Sequence, residues 1–256
     1  MLHCDYKIIT MREFGLIGYP LSHSFSKKYF TQKFADEAIP DCRYELFPLE
    51  HIDDLPQLLQ EHPHLAGLNV TIPYKQAVFQ YMDEVEESAA AIGAINVIKV
   101  KNGCLKGYNS DAYGFQVSLE AFLGNRDIAT VNALVLGTGG ASKAVQYVLQ
   151  RMQIPFKLVS RTAKNDCISY AEVNATMMET HHLIINTTPL GMAPNDFTAP
   201  SIPYNSIKNE HCLYDLVYNP EKTLFLSKGE ANGARICNGL SMLHLQAERS
   251  WQIWNE

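Results

Sequence analysis

Three short polar patches hold most of the side chains in the first half of this chain that could do chemistry. They are Gly18-Tyr19-Pro20-Leu21-Ser22-His23-Ser24-Phe25-Ser26, then Asn69-Val70-Thr71-Ile72-Pro73-Tyr74-Lys75, then Gly93-Ala94-Ile95-Asn96 with Asn109-Ser110-Asp111. They are rich in hydroxyls and amides, which suit a small polyhydroxylated substrate, and they contain one lysine and one aspartate. A different chemistry is written further on. The apolar run Asn132-Ala133-Leu134-Val135-Leu136 ends in Gly137-Thr138-Gly139-Gly140 and leads into a helical pattern. Glycines let a backbone approach a pyrophosphate, and the helix that follows offers unpaired N–H groups and the positive end of its dipole. A strand before the glycines and a helix after them is the context this signal requires. Its third position, Ser142, departs from the usual Gly or Ala.

The end of the next strand, Phe156–Val159, selects the nucleotide. An NAD site places a carboxylate there for the ribose 2′-OH. This chain instead has Ser160-Arg161-Thr162 with Lys164 close behind, and no carboxylate before Asp166. A guanidinium and an ammonium suit a 2′-phosphate, so the expected cofactor is NADP.

These patches need elements to hold them. Strands are expected at Phe14–Gly18, Tyr44–Phe47 and Leu68–Thr71. Helices are expected near 26–38, with an apolar face at Phe30, Phe34 and Ala38, then from about Leu55, and near 83–91. Ala94–Val100 and Cys104–Tyr108 flank Lys101-Asn102-Gly103, a hairpin signal. Strand–helix alternation implies parallel pairing, with this antiparallel hairpin added at one edge. Each polar patch sits near a strand's carboxyl end, where open α/β sheets bind ligands. After Asp111 a second series begins: a helix near 112–123, strands at 132–136, 156–159, 183–186 and 213–216, and a final helix near 240–254. Leu240, Leu243, Ala247, Trp251 and Trp254 share one face of that helix. Between Lys164 and Cys167 there is no room for a crossover helix. Cys167–Tyr170 therefore reads as a strand arriving early, with a shallower adenine side to the pocket.

Composition narrows the class. Of 256 residues, 46% are hydrophobic and 19% charged, which argues against disorder. No apolar run reaches about 18 residues, so no membrane helix is expected. A net charge of −6 with no basic cluster makes a nucleic-acid partner a poor fit. The first seven residues carry charges where a secretory signal needs an apolar stretch. Six cysteines, at 4, 42, 104, 167, 212 and 237, are scattered singly, which reads as reduced thiols in the cytoplasm. Adjacent His181 and His182 point in different directions and make no zinc pair.

Taken together, the segments resemble the shikimate dehydrogenase family over about Glu13 to Trp254. The motifs in register are H-S-x-S, N-V-T-x-P-x-K, G-A-x-N, N-x-D, G-x-G-G-A-S, S-R-T, N-T-T-P-x-G-M at 186–192 and N-G-L-x-M-L-x-x-Q at 238–246. The resemblance implies an α/β protein of two domains with a cleft between them. Residues 1–111 would form a substrate domain with a mixed sheet, and 112–238 a Rossmann-like NADP domain. Helix 239–256 would return to the substrate domain. It implies NADP-dependent, reversible reduction of 3-dehydroshikimate to shikimate, with Lys75 and Asp111 as the catalytic pair. A lysine can donate a proton as hydride arrival turns a ketone into an alkoxide. Ser24 and Ser26 would bind the substrate carboxylate near Tyr218; Asn69, Thr71, Asn96, Asp111 and Gln246 would contact its hydroxyls. Gly137, Gly139, Gly140 and Ala141 would hold the pyrophosphate. Ser160, Arg161, Thr162 and Lys164 would read the 2′-phosphate, and Thr187, Met192 and Gly239 would lie near the nicotinamide.

The family usually has Pro where this chain has Lys27, and His-Asn where it has Tyr29-Phe30, which implies altered packing behind the serines. Met1 and Met11 both stand as initiators, and a monomer or a homodimer fits. Two other readings remain at this stage: a quinate/shikimate dehydrogenase using NAD, and a catalytically silent NADP-binding regulator. Residue by residue, blander roles compete. Lys75 alone reads as a surface lysine, Asp111 as a helix cap, Ser24 and Ser26 as caps of the helix that starts there, and His23 as a structural histidine.

Overall fold

The computed structural model describes residues 11–21, 24–163 and 167–256. Met1, His23 and Lys164 lie outside the described residues. The chain divides into two compact units, one of residues up to Asn109 with Ser250–Glu256, the other Ser110–Arg249.

The first unit is built from β1 (Arg12–Gly18), α1 (Phe25–Asp36), β2 (Cys42–Pro48), α2 (Leu55–Glu61), β3 (Leu65–Val70), β4 (Glu84–Val85), α3 (Glu87–Ile92), β5 (Val97–Lys101) and β6 (Cys104–Tyr108). Its sheet runs β2-β1-β3-β5-β6-β4, parallel at β2-β1-β3 and antiparallel at β3-β5-β6. The hairpin turns on Asn102 and Gly103, both at positive φ (53° and 79°), as the Asn-Gly pair demands. It is not the edge of the sheet, because β4 pairs parallel with β6 outside it. The helix expected near 83–91 is accordingly shorter. Glu86 accepts a hydrogen bond from the Ala89 N–H at 3.1 Å and caps α3, so the chain before it is extended. Ala38 lies beyond the end of α1 at φ 52° and is exposed, so only Phe30 and Phe34 of its expected face are buried.

The last helix, α8 (Leu240–Asn255), lends its final turns to this unit. Trp254 stacks on Phe14 at 4.8 Å between centroids and lies 5.3 Å from Phe30, which stacks on Tyr44. A Cβ on Gly67 would fall 2.3 Å from the Trp254 ring, so β3 needs glycine where the indole crosses it.

The second unit contains α4 (Ser110–Leu123), β7 (Ala133–Leu136), α5 (Gly140–Arg151), β8 (Phe156–Ser160), β9 (Cys167–Ser169), α6 (Ala175–Met178), β10 (Leu183–Asn186), β11 (Cys212–Asp215), α7 (Leu224–Ala231) and β12 (Arg235–Cys237), with most of α8. Its sheet is wholly parallel, in the order β12-β11-β10-β7-β8-β9. Parallel neighbours usually need a crossover of a dozen residues or more. Here β8 and β9 pair in parallel although only residues 161–166 connect them. No helix of the described residues is long and apolar enough to cross a membrane.

Candidate active site

The carboxyl ends of β7 and β8 open on a pocket of about 480 Å³ within the second unit. Gly137, at φ 107°, makes the turn out of β7, and a Cβ there would come within 2.8 Å of Thr187 and Thr188. Both the dihedral and the close approach require glycine. Gly139 is the N-cap of α5 and offers no side-chain cap, and nothing lies within 4 Å of where a Cβ on Gly139 or Gly140 would sit. Among the described residues the space beside these two glycines at the start of α5 is open, and the N–H groups and positive dipole end there suit an anion. Ser142, the departure from the glycine pattern, is buried and accepts a hydrogen bond from Gln146 at 3.0 Å.

Of the expected cofactor residues, the pocket wall gathers Gly137, Gly139, Ser160, Arg161 and Thr187. Thr138, Tyr170, Thr188, Pro189 and Leu190 complete it, and sequence reasoning did not single these out. No carboxylate is among these lining residues, so the pocket fits a phosphorylated ribose better than a free 2′-OH. Gly140, Ala141 and Thr162 are exposed next to wall residues in sequence, and Met192 is exposed beyond Leu190. Gly239 has a reason within the fold: its N–H donates to the Val217 carbonyl, and a Cβ would sit 2.1 Å from the Leu216 oxygen.

The segment 186–190 is shaped from below. The Asn186 side-chain oxygen accepts from the Thr188 N–H (3.0 Å) and hydroxyl (2.6 Å), while its amide donates to Asp215 at 2.9 Å. Asp215 is fully buried and also accepts from the Val217 N–H and the Thr223 hydroxyl. Burial pushes its carboxyl up to about 6, against the pull of these three donors.

Asp111 lies half-buried in the first turn of α4. Gly114, one turn later, brings α8 close: a Cβ there would lie 2.7 Å from the Met242 carbonyl and 3.0 Å from the Gln246 nitrogen. The Gln246 side chain accepts from the Ser110 hydroxyl at 3.4 Å and donates to the Leu243 carbonyl at 2.9 Å. Asp111 and Gln246 thus belong to one packed helix pair, while Tyr218 stands exposed beyond β11.

In the first unit, the β1 and β3 ends are tied by the Thr71 N–H donating to the Ile17 carbonyl at 3.0 Å. Half-buried Lys75 follows in the turn after β3, where its carbonyl accepts from the Ile95 N–H at 2.8 Å. That bond joins the second polar patch to the third. Ser24 caps α1, accepting from the Lys27 N–H at 3.3 Å. This spends a lone pair of its hydroxyl and not its proton. Lys27, where the resemblance would have proline, pairs with Glu45 at 2.8 Å.

Ser26 and Asn69 are joined by a residue that sequence reasoning placed only in a strand. The buried Tyr44 hydroxyl donates to the Asn69 oxygen at 2.7 Å and is itself hydrogen-bonded by Ser26. The Asn69 amide donates to Ser250 at 3.0 Å and to the Asn96 carbonyl at 3.4 Å. Asn69 and Asn96 are both buried. With its amide hydrogens engaged, Asn69 keeps an acceptor lone pair on its side-chain oxygen.

Comparison with known proteins sets this geometry among relatives. A family model described as the shikimate dehydrogenase substrate binding domain matches residues 16–98. A Clostridium beijerinckii protein named shikimate dehydrogenase (NADP(+)) is 38% identical over 260 residues, covering 96% of this chain and 93% of its own. A Methanococcus maripaludis protein of the same name is 36% identical, covering 94% and 90%. A crystal structure of shikimate 5-dehydrogenase from Thermus thermophilus, in complex with NADP(H) and shikimate, superposes with a TM-score of 0.81. It is 29% identical and covers 95% of this chain and 93% of that one.

Proposed function

This chain belongs to the shikimate dehydrogenase family, and from that premise we propose that it reduces 3-dehydroshikimate to shikimate with NADPH, reversibly. The product feeds the route to chorismate and the aromatic amino acids. The observation that carries the reading is the pocket beyond β7 and β8: a glycine turn, a helix start with no side-chain cap, and Arg161 with no carboxylate among the described lining residues.

Gly137, Gly139, Gly140 and Ala141 hold the pyrophosphate, and Ser160, Arg161, Thr162 and Lys164 the 2′-phosphate. Thr187, Met192 and Gly239 face the nicotinamide. NADPH, when bound, supplies the hydride that reduces the ketone carbon. Lys75 gives a proton to the substrate oxygen as negative charge develops there, and takes it back when the alcohol is oxidised. Asp111, the other member of the catalytic pair, accepts a hydrogen bond from a substrate hydroxyl. Ser24 and Ser26 bind the substrate carboxylate, Ser24 with its unspent proton and Ser26 by turning its proton from Tyr44 to the anion, with the N-terminus of α1 favouring an anion and Tyr218 assisting. Asn69, Thr71, Asn96 and Gln246 orient the hydroxyls, holding the ring so that little orientational entropy is lost at the reaction step. The five described cysteines are all free, which supports a reducing compartment such as the cytoplasm. A monomer or a homodimer would serve this chemistry.

Steady-state rates with shikimate or quinate, each with NADP⁺ or NAD⁺, test the reading. The expected result is a kcat/KM highest for shikimate with NADP⁺. Preference for NAD⁺ or for quinate would move the chain to the quinate/shikimate enzyme, and no turnover with any pair would make it a silent binding protein.

A further inference from the structure

We propose that Tyr170 is a specificity-determining residue for the cofactor, its hydroxyl donating to the 2′-phosphate beside Arg161. The proposal rests on the NADP reading and adds a residue to it that the family resemblance did not supply. Tyr170 follows a connection too short to hold a crossover helix. With only residues 161–166 between β8 and β9, it is the first residue beyond β9 and forms part of the pocket wall with Ser160 and Arg161. Its backbone is fixed by a capping box, in which Glu172 accepts from the Ser169 N–H (2.8 Å) and hydroxyl (2.7 Å). Its ring packs against the apolar core formed by β7, β8, β10 and β11.

The hydroxyl is the informative atom. It is buried, and among the described residues it is a side-chain polar atom with no hydrogen-bond partner. Native proteins seldom leave such a group, because it forfeits roughly 1–3 kcal/mol of hydration without return. No described residue pairs it, and in the free fold it is closed to bulk water. A ligand entering the adjoining pocket can supply the acceptor once the ring turns slightly toward it. Tyr170 lies within electrostatic reach of the Arg161 guanidinium, which would attract the phosphate whose oxygens can accept from the phenol. Arg161 is exposed, so its long side chain can re-seat around that anion. Burial pushes the phenol's pKa up, and it stays a donor throughout the physiological range.

The test is direct binding of NADP⁺ and NAD⁺, by calorimetry, to the full-length protein and to Tyr170→Phe, with urea unfolding of both free proteins. The substitution removes only the unpaired hydroxyl. The free variant is expected to be at least as stable as the wild type. Its dissociation constant for NADP⁺ should rise about tenfold or more, as for a lost hydrogen bond to a charged group. That for NAD⁺ should stay within about twofold. Unchanged NADP⁺ binding by a wild type that prefers NADP⁺, or equal losses for both nucleotides, would overturn the role of Tyr170 alone. A wild type that binds both nucleotides alike would overturn the cofactor reading and this proposal together.

Discussion

Lys75 and Tyr44 make different kinds of claim about single side chains. Lys75 is assigned the proton that must reach the substrate oxygen, so its loss should act on the chemical step. Lys75→Ala should lower kcat by about 100-fold or more, the low end of general acid–base effects. NADPH affinity, read by fluorescence titration, should change little, and a variant near wild-type kcat would remove lysine from the mechanism. Tyr44 touches no substrate in this account and acts by holding Ser26 and Asn69. Tyr44→Phe strips a hydrogen bond from each of two polar groups, so a stability loss of about 1–2 kcal/mol in urea unfolding is expected. KM for shikimate should rise severalfold while KM for NADP⁺ holds. Equal rises in both would reduce Tyr44 to a general packing role.

Elements decide which of these placements a sequence can announce. The β7–Gly137–α5 turn was legible because an apolar strand, glycines and a helix follow one another locally, and the hairpin because Asn102-Gly103 names its own turn. The two-residue β4, the three-residue β12 and the four-residue α6 are too short to carry a period, and their pairing or packing is tertiary. α7, at eight residues, is also short, and it starts from the buried cap Thr223. The Ser26–Tyr44–Asn69–Ser250 chain joins residues scattered over most of the sequence, so no local spacing could reveal it. Tyr170 was hidden for a related reason, since its place in the pocket follows from a short parallel connection that only pairing of β8 with β9 makes visible. At this scale Gly137→Ala is the sharpest probe. It imposes a positive φ on a residue with a Cβ and drives that atom against Thr187 and Thr188. A loss of about 1–3 kcal/mol is expected, with weakened NADP⁺ binding. A variant as stable as the parent, binding as tightly, would show that the turn tolerates a side chain.

The whole molecule should report its cofactor and its buried charge through stability. NADP⁺ at about 100 times its dissociation constant should stabilise the protein by about 2.7 kcal/mol, as a ligand bound by the folded state alone. Asp215 adds a pH dependence of known sign. Its carboxyl is raised from 3.8 to about 6 in the fold, so its contribution is fully present below about pH 4 and is lost as pH rises through about 6. Buried His211 is shifted the other way, downward by desolvation, and its contribution is lost as pH falls below its ordinary range. Because the two slopes oppose, the Asp215 effect is isolated by difference. Wild type minus Asp215→Asn stability should fall between pH 4 and pH 7 by on the order of 3 kcal/mol, and a flat difference would place that carboxyl elsewhere. The most direct test of the central claim follows the hydride itself. Purified protein is given 3-dehydroshikimate and NADPH deuterated on both positions of nicotinamide C4, and the product is read by mass spectrometry and NMR. The account predicts shikimate carrying one deuterium on the carbon that bears the new hydroxyl, formed one-for-one with NADP⁺. Unconsumed 3-dehydroshikimate, or shikimate without label at that carbon, would contradict it.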